Sequence, residues 1–343
     1  MKTDIKSLFF DELSASLKDF GLPAFRAKQV WQWLQQKGVV SFEEMTNLSK
    51  DLRDKLNTAY ELRFCEVERK SVSALDGTVK YLFRLYDGQF IESVLMKYKY
   101  GYSLCVSTQV GCRMNCAFCA TGVGGYIRNL SASEILSQIH AAQNDMNIKV
   151  SHIVLMGMGE PMDNYDNVIR FLKLVNNDDG LNIGMRNISL STCGIIPGIR
   201  KLEEENLQLT LSVSLHAPND KIRSRLMPVN KKYNVDELLQ TCRKYADSTS
   251  RRISYEYAMF GGVNDSDECA RELAEKLKGT LAHINLIPAN DVTESGLKSS
   301  TPERIKRFSE ILEKAGRNVT VRRSLGGDID ASCGQLRSKH INS

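Results

Sequence analysis

Apolar residues recur three and four apart near the start of the chain, at Leu8, Phe9, Leu13, Leu17 and Phe20. That spacing keeps them on one side of a 3.6-residue period and predicts a helix. Pro23 suits the first turn of a second helix, whose apolar face is Val30, Trp31 and Leu34. Ser41 and Glu44 have the spacing of a capping box. Residues 1–65 thus read as a small all-helical unit. From Val79 the texture changes. Stretches 81–85, 90–96 and 102–107 are rich in aromatic and β-branched residues and predict strands. Further on, strands are predicted over 152–155, 187–191, 209–215, 253–257, 283–287 and 319–322. Between them the period is helical, over 131–145, 163–176, 197–206, 234–247, 266–278 and 301–316. Ser131 and Glu134 mark one of these helix starts.

Alternating strand and helix predicts a parallel sheet with helices outside it. About six such units suit a partial or complete β/α barrel; a doubly wound sheet is the alternative. The expected fold class is therefore α/β, a partial (β/α)6 barrel with a small helical N-terminal domain. The expected division is 1–65 for the helical unit, 66–97 for a strand-rich connector, and 98–335 for the barrel with its C-terminal loop.

Composition narrows the class. The 343 residues are 42% hydrophobic and 25% charged, as in ordinary globular proteins. No apolar run approaches the roughly 18 residues of a membrane span. The opening MKTDIKSLFFDEL has no signal-peptide core. Nine cysteines, clustered around one loop, do not resemble a secreted disulfide framework. A cytoplasmic protein is expected, without membrane contact. The net charge of +5 is only a weak pointer to nucleic acid.

The run GCRMNCAFCATG carries the chemistry. Cys112, Cys116 and Cys119 are spaced C-x3-C-x2-C. Structural zinc takes four ligands, and an iron–sulfur cluster normally takes four cysteines. Three thiolates in one loop would leave one iron of a 4Fe-4S cluster open to a small molecule. Cys105 offers a competing reading, a four-cysteine zinc site in an RNA-binding module. Other unusual residues fall at predicted strand ends, where a β/α barrel keeps its active site. They are Gly159 and Glu160, then Ser191, then Ser214, Leu215 and His216, then Asn290. Alone, the first pair serves equally as a tight turn, and His216 as a core histidine.

The cysteine pattern resembles the radical S-adenosylmethionine (SAM) superfamily. The segments LCVSTQVGCRMNCAFCATG, LMGMGEPMDN, LSTCGIIPGI, SLHAPND, FGGVNDS, NLIPAN and GGDIDASCGQL occur in this order. Together they resemble the RlmN/Cfr family over nearly the whole chain. Val110 and Pro161 favour the RlmN branch, which methylates adenine C2, over the Cfr branch, which methylates C8. The stretch 291–300 departs from the family's form.

The resemblance implies an RNA methyltransferase acting on adenosine 2503 of 23S rRNA and adenosine 37 of tRNA. It implies one 4Fe-4S cluster on Cys112, Cys116 and Cys119, and two SAM molecules per turnover. SAM would meet Gly159, Glu160, Ser191, Ser214, Leu215, His216 and Asn290. Cys333 would carry the methyl group, with Gly334 freeing its loop. Glu92 would remove the C2 proton. Cys105 would attack the Cys333 sulfur and form a disulfide that releases the RNA. A flavodoxin-type electron donor is implied, and a monomer is the default. Cys65, Cys193, Cys242 and Cys269 read as structural thiols. For RNA contact the chain offers Lys97, Tyr98, Lys99, Tyr100 and Tyr102, or an exposed strand at the same place. The pairs Lys231–Lys232, Arg251–Arg252 and Arg322–Arg323 could reach phosphates. In the helical unit Arg26, Lys28 and Lys37 could do the same.

Overall fold

The computed structural model describes residues 2–289, 296–323 and 325–329. Its first part runs β1 (Thr3–Asp4), α1 (Phe10–Asp19), α2 (Ala24–Gln32), α3 (Lys50–Ala59) and β2 (Tyr60–Glu61). Leu13, Leu17, Val30, Trp31 and Leu34 are buried as the helical period requires. Phe20 caps α1 instead and stays exposed. The unit is not purely helical, because β1 and β2 pair in parallel and tie its two ends together.

Four strands follow: β3 (Cys65–Val72), β4 (Val79–Leu85), β5 (Phe90–Tyr98) and β6 (Gly101–Cys105). A short pair, β7 (Gln109–Gly111) and β8 (Tyr126–Asn129), flanks the cysteine loop and the one-turn helix α4 (Ala120–Val123). Then come α5 (Ala132–Met146), β9 (Val150–Leu155), α6 (Tyr165–Asn176), β10 (Ile188–Thr192), α7 (Ile196–Glu204) and β11 (Thr210–Ser214). The last elements are α8 (Asp220–Leu226), α9 (Val235–Thr249), β12 (Ile253–Met259), α10 (Asp267–Lys276), β13 (Ala282–Pro288), α11 (Pro302–Lys314) and β14 (Val319–Val321).

Ten strands form one sheet in the order β14-β13-β12-β11-β10-β9-β6-β5-β4-β3. From β6 to β14 all pairs are parallel, and β5, β4 and β3 extend the sheet antiparallel. This is the partial β/α barrel, since a helix follows each strand from β6 to β13. Capping residues start the helices: Ser131 accepts from Glu134 N–H, Asn234 from Glu237 N–H and Ser266 from Cys269 N–H.

Side chains alternate across the sheet. In β4 and β5, Val79, Tyr81, Phe83, Ile91 and Leu95 join the main core, with α5 packed nearby. The opposite face of β5 and β6, with Val94, Met96 and Cys105, forms a separate small cluster with Met156 and Leu325. That face is the interior of the barrel. Past β14 the chain crosses to the far edge of the sheet. There Asp328 accepts hydrogen bonds from Ser73 Oγ (2.6 Å) and Ala74 N–H (2.9 Å), and Asp76 accepts one from Gly326 N–H (2.8 Å). The segment thus joins the β14 edge to the β3–β4 turn. Among the described residues no helix is long and apolar enough to cross a membrane.

Candidate active site

The strand ends of the barrel are fixed by buried amides. Beyond β6, Gln138 of α5 accepts from Ser107 N–H (2.8 Å) and donates to Ser107 O (2.9 Å). Ser107 Oγ donates to the Glu92 carbonyl (2.6 Å) and accepts from Met158 N–H (2.9 Å). Gln109 then receives Glu160 N–H at 2.8 Å and donates to Asn129 Oδ1 and Asp163 Oδ2, both at 2.8 Å. Gly159 has φ +104°, and a Cβ there would lie 2.6 Å from Gln109. Only glycine lets the Met158–Glu160 turn lie this close to the strand that leads to the cysteines.

The cysteine loop leaves the rim between β7 and β8. Gly111 has φ +77°, and a Cβ would sit 1.8 Å from Gly125 O. Cys112 N–H donates to that same carbonyl (3.0 Å), and Cys119 N–H to Cys116 O (3.1 Å). Ala117 N–H reaches Leu226 O (2.9 Å), and the Phe118 ring meets His216 edge-on with centroids 4.8 Å apart. Arg113 pairs with Asp163 (2.9 Å) and covers the Tyr126 ring. All three cysteines are half-buried. Burial pushes the Cys112 thiol up to about 12, with Glu160 and Cys119 adding to the effect. Cys116 is pushed up by burial, then by Cys119 and Cys112. Burial thus favours the neutral thiols, and a bound cation would be what stabilises these three soft sulfur donors as thiolates.

The donor set fits an iron–sulfur cluster. Among the described residues no three His, Cys, Asp or Glu side chains gather tightly enough for a single metal ion. Cys105 packs with Val94 and Met96 inside the barrel, whereas Cys116 packs with Cys193, Met227 and Phe260. The zinc reading would have needed Cys105 in the second group.

Around the loop stand the other strand ends. Glu160 is buried, and its carboxylate accepts from Met162 N–H (3.0 Å) and Cys193 N–H (2.7 Å). Burial raises its affinity for a proton, and these donors with the Thr192 side chain pull it back. Ser191 is the next-to-last residue of β10 and Ser214 ends β11, both half-buried. Leu215 and His216 donate their N–H groups to Glu256 O (3.1 and 3.2 Å). His216 has φ +56°, uncommon outside glycine. Its Nδ1 accepts from Ala258 N–H (2.9 Å), which leaves the proton on Nε2. Burial and Arg223 lower its pKa to about 3, so the ring is neutral. Arg223, fully buried, donates to Leu215 O, Cys193 O, Ser214 O and Asn230 Oδ1.

Glu92 lies on β5 and Cys105 on β6. Val94, two residues from Glu92 and on the same face, pairs with Cys105. Glu92 is buried, with Lys80 Nζ 3.1 Å from its Oε2. Cys333 and Asn290 lie outside the described residues; Ile329, four residues before Cys333, ends the segment that crosses this region. The Lys97–Tyr102 stretch does not meet the site. It forms the β5–β6 turn at the opposite end of β6 from Cys105, where Tyr98 and Tyr100 stack on each other. Gln109, Gln138, Arg223 and Lys80 were not legible as site residues. Of these only Lys80 carries a signal, a charge within an apolar strand.

Comparison with known proteins agrees with this geometry. A model of the radical SAM superfamily matches residues 106–277. A model of the ribosomal RNA large subunit methyltransferase N-terminal domain matches residues 3–62. A protein of Lachnoclostridium phytofermentans named "Probable dual-specificity RNA methyltransferase RlmN" is 52% identical over 99% of this chain and 96% of its own. One of Lachnospira eligens with the same name is 51% identical over 99% and 97%. The crystal structure of a radical SAM methyltransferase from Sphaerobacter thermophilus superposes with TM-score 0.92 and 44% identity, over 97% of this chain and 98% of that one. The chain is a radical SAM methyltransferase and belongs to the RlmN family. That class works with a 4Fe-4S cluster and SAM.

Proposed function

We propose that this enzyme methylates C2 of adenine, at adenosine 2503 of 23S rRNA and adenosine 37 of tRNA. One observation carries the reading. Glu92 and Cys105 occupy the inner face of the barrel, and the segment leading to Cys333 packs on that face through Leu325. Cys333 follows Ile329 by four positions and would be brought to that face. The relatives' name, dual-specificity RNA methyltransferase, supports an RNA substrate. Val110 and Pro161 favour C2 over C8.

Cys112, Cys116 and Cys119 would hold the cluster, leaving one iron for the amino and carboxylate groups of SAM. Cluster and SAM together supply the one-electron chemistry that an unactivated sp2 carbon demands. The chain's own residues do the rest. Glu160, whose carboxylate accepts from the neutral Met162 and Cys193 N–H groups, would receive the ammonium of SAM. Gly159, Ser191, Ser214, Leu215 and His216 would line its adenosine, with Asn290 completing the set. Cys333 would take a methyl group from a first SAM and present it to C2. With that carbon bonded to C2, Glu92 would accept the C2 proton. Cys105, as a thiolate, would then attack the Cys333 sulfur and form a disulfide; the carbon would leave with the sulfur–carbon bonding pair and take a proton to complete the methyl group, and the surplus electron of the radical addition would return to the cluster.

Lys231, Lys232, Arg322 and Arg323 are exposed beyond the C-terminal ends of β11 and β14. They suit RNA phosphates better than Arg251 and Arg252, which precede β12 at the other end. The helical unit of residues 1–65 would extend the RNA contact, residues 66–97 would join it to the barrel, and 98–335 would carry the chemistry. A flavodoxin-type donor, a monomer and a cytoplasmic setting complete the reading. The test is anaerobic reconstitution with iron and sulfide, then reaction with methyl-labelled SAM, reductant and a short ribosomal RNA hairpin. 2-Methyladenosine on digestion is the expected product; 8-methyladenosine would move the enzyme to the Cfr branch, and neither product would overturn the substrate.

A further inference from the structure

Lys80 and Glu92 stand on neighbouring antiparallel strands, where Leu82 pairs with Glu92 and Lys80 with Val94. Nζ of Lys80 lies 3.1 Å from Oε2 of Glu92, and each side chain is only 1% exposed. Both point to the inner face of the barrel, the face that carries Cys105. An ion pair this deep is a poor device for stability. Taking both charges out of water offsets most of their attraction, and two apolar side chains would pack as well. The other face of the same strands is built that way, with Val79, Tyr81, Phe83, Ile91 and Leu95. The charge pair therefore answers a need that packing does not explain.

The backbone of Glu92 is fixed independently. Ser107 Oγ donates to its carbonyl at 2.6 Å, and Ser107 is itself held by Gln138. What remains to be set is the direction and charge of the side chain. We infer that Lys80 is the positioning residue of Glu92. Its ammonium balances the buried carboxylate and aims it into the barrel toward adenine C2. The inference rests on the reading of Glu92 as the group that accepts the C2 proton.

The experiment compares Lys80→Met, Lys80→Arg and Glu92→Gln with the parent enzyme, all reconstituted with cluster. Three readouts are taken with SAM, reductant and the RNA hairpin: methylated nucleoside, covalent enzyme–RNA adduct on denaturing gels, and RNA affinity by filter binding. Lys80→Met is expected to form product roughly 100-fold more slowly, the scale of a general base. Its adduct should accumulate as in Glu92→Gln, because the step that stalls follows bond formation to C2. RNA affinity should be unchanged, and Lys80→Arg should recover most of the turnover. A role in folding alone would lower product and adduct together, and that result overturns the inference. So does normal turnover in Lys80→Met while Glu92→Gln stalls; the reading of Glu92 then stands. Normal turnover in Glu92→Gln removes that reading and the inference with it. Should Lys80→Met fail to fold, the double variant Lys80→Met/Glu92→Gln carries no unbalanced charge. It must fold and stall as adduct, and its turnover would overturn the inference.

Discussion

Gln109 Oε1 accepts the backbone N–H of Glu160 at 2.8 Å, joining the strand that enters the cysteine loop to the turn that presents the buried carboxylate. The same side chain donates to Asn129 and Asp163. Gln109→Leu keeps the volume but leaves all three groups without this partner. Buried polar groups stripped of a partner cost about 1–3 kcal/mol each, and part of the loss is recovered by water. The expected result is a loss of about 2–4 kcal/mol in urea unfolding, together with weaker SAM binding by equilibrium dialysis. Unchanged SAM affinity in a destabilised protein would separate the Gln109 bridge from the site.

Removing one sulfur should remove the cluster and leave the fold. Cys112, Cys116 and Cys119 sit in a loop outside the main core, so each Cys→Ala variant is expected to lose its iron and brown colour. Methylation should vanish in all three. Unfolding free energies of the metal-free variants should match that of the metal-free parent within about 1 kcal/mol, since each loses only one half-buried sulfur. A variant that keeps the full iron content would remove its cysteine from the ligand set.

Much of this was legible in the sequence, for identifiable reasons. The barrel strands and helices differ in period, and Ser131, Asn234 and Ser266 mark helix starts by local chemistry. The three cysteines were legible because their spacing alone carries meaning. Strand β3 was not, since seven of its eight residues are exposed or half-exposed in an edge strand reading Cys-Glu-Val-Glu-Arg-Lys-Ser-Val, and its polar surface hides the alternation. The Lys97–Tyr102 stretch fits an RNA surface and an exposed strand alike, and pattern does not tell which end of its strand faces the site. Gln109, Gln138 and Arg223 were invisible for another reason. Several of their partners are backbone groups about 30 or more residues away, which no local period records.

Acid should loosen the joint between the helical unit and the barrel. His140 of α5 is buried against Gly38, and its Nε2 lies 3.0 Å from Gln35 O. Its Nδ1 has no hydrogen-bond partner. Burial, reinforced by Lys6, holds its pKa well below the usual 6.5. The unfolded chain therefore takes up a proton below pH 6.5 that the native ring refuses, so native stability falls as pH drops through that value. The slope approaches about 1.4 kcal/mol per pH unit at most. His140→Gln keeps a donor for Gln35 O and does not titrate. Urea titrations at pH 7.5 and 5 should show the variant losing less stability than the parent, by roughly 1–2 kcal/mol. Equal losses would show that another group governs the acid limb.

Arg223 should matter to SAM more than its distance from any reacting atom suggests. Its guanidinium closes three carbonyls at two strand ends, Cys193 O at 2.7 Å, Ser214 O at 3.1 Å and Leu215 O at 3.1 Å. Those residues border Glu160 on one side and His216 on the other. A planar fork with several donors can do this; an ammonium reaches fewer acceptors at once. Arg223→Leu is expected to cost about 3–5 kcal/mol, since the orphaned carbonyls are buried. Arg223→Lys should restore part of the stability and little of the SAM affinity, because the relative placement of the β10 and β11 ends depends on simultaneous contacts. Calorimetric titration of SAM into reconstituted protein measures the second effect, and urea unfolding the first. Full SAM affinity in Arg223→Lys would mean that the two strand ends hold their places without the fork.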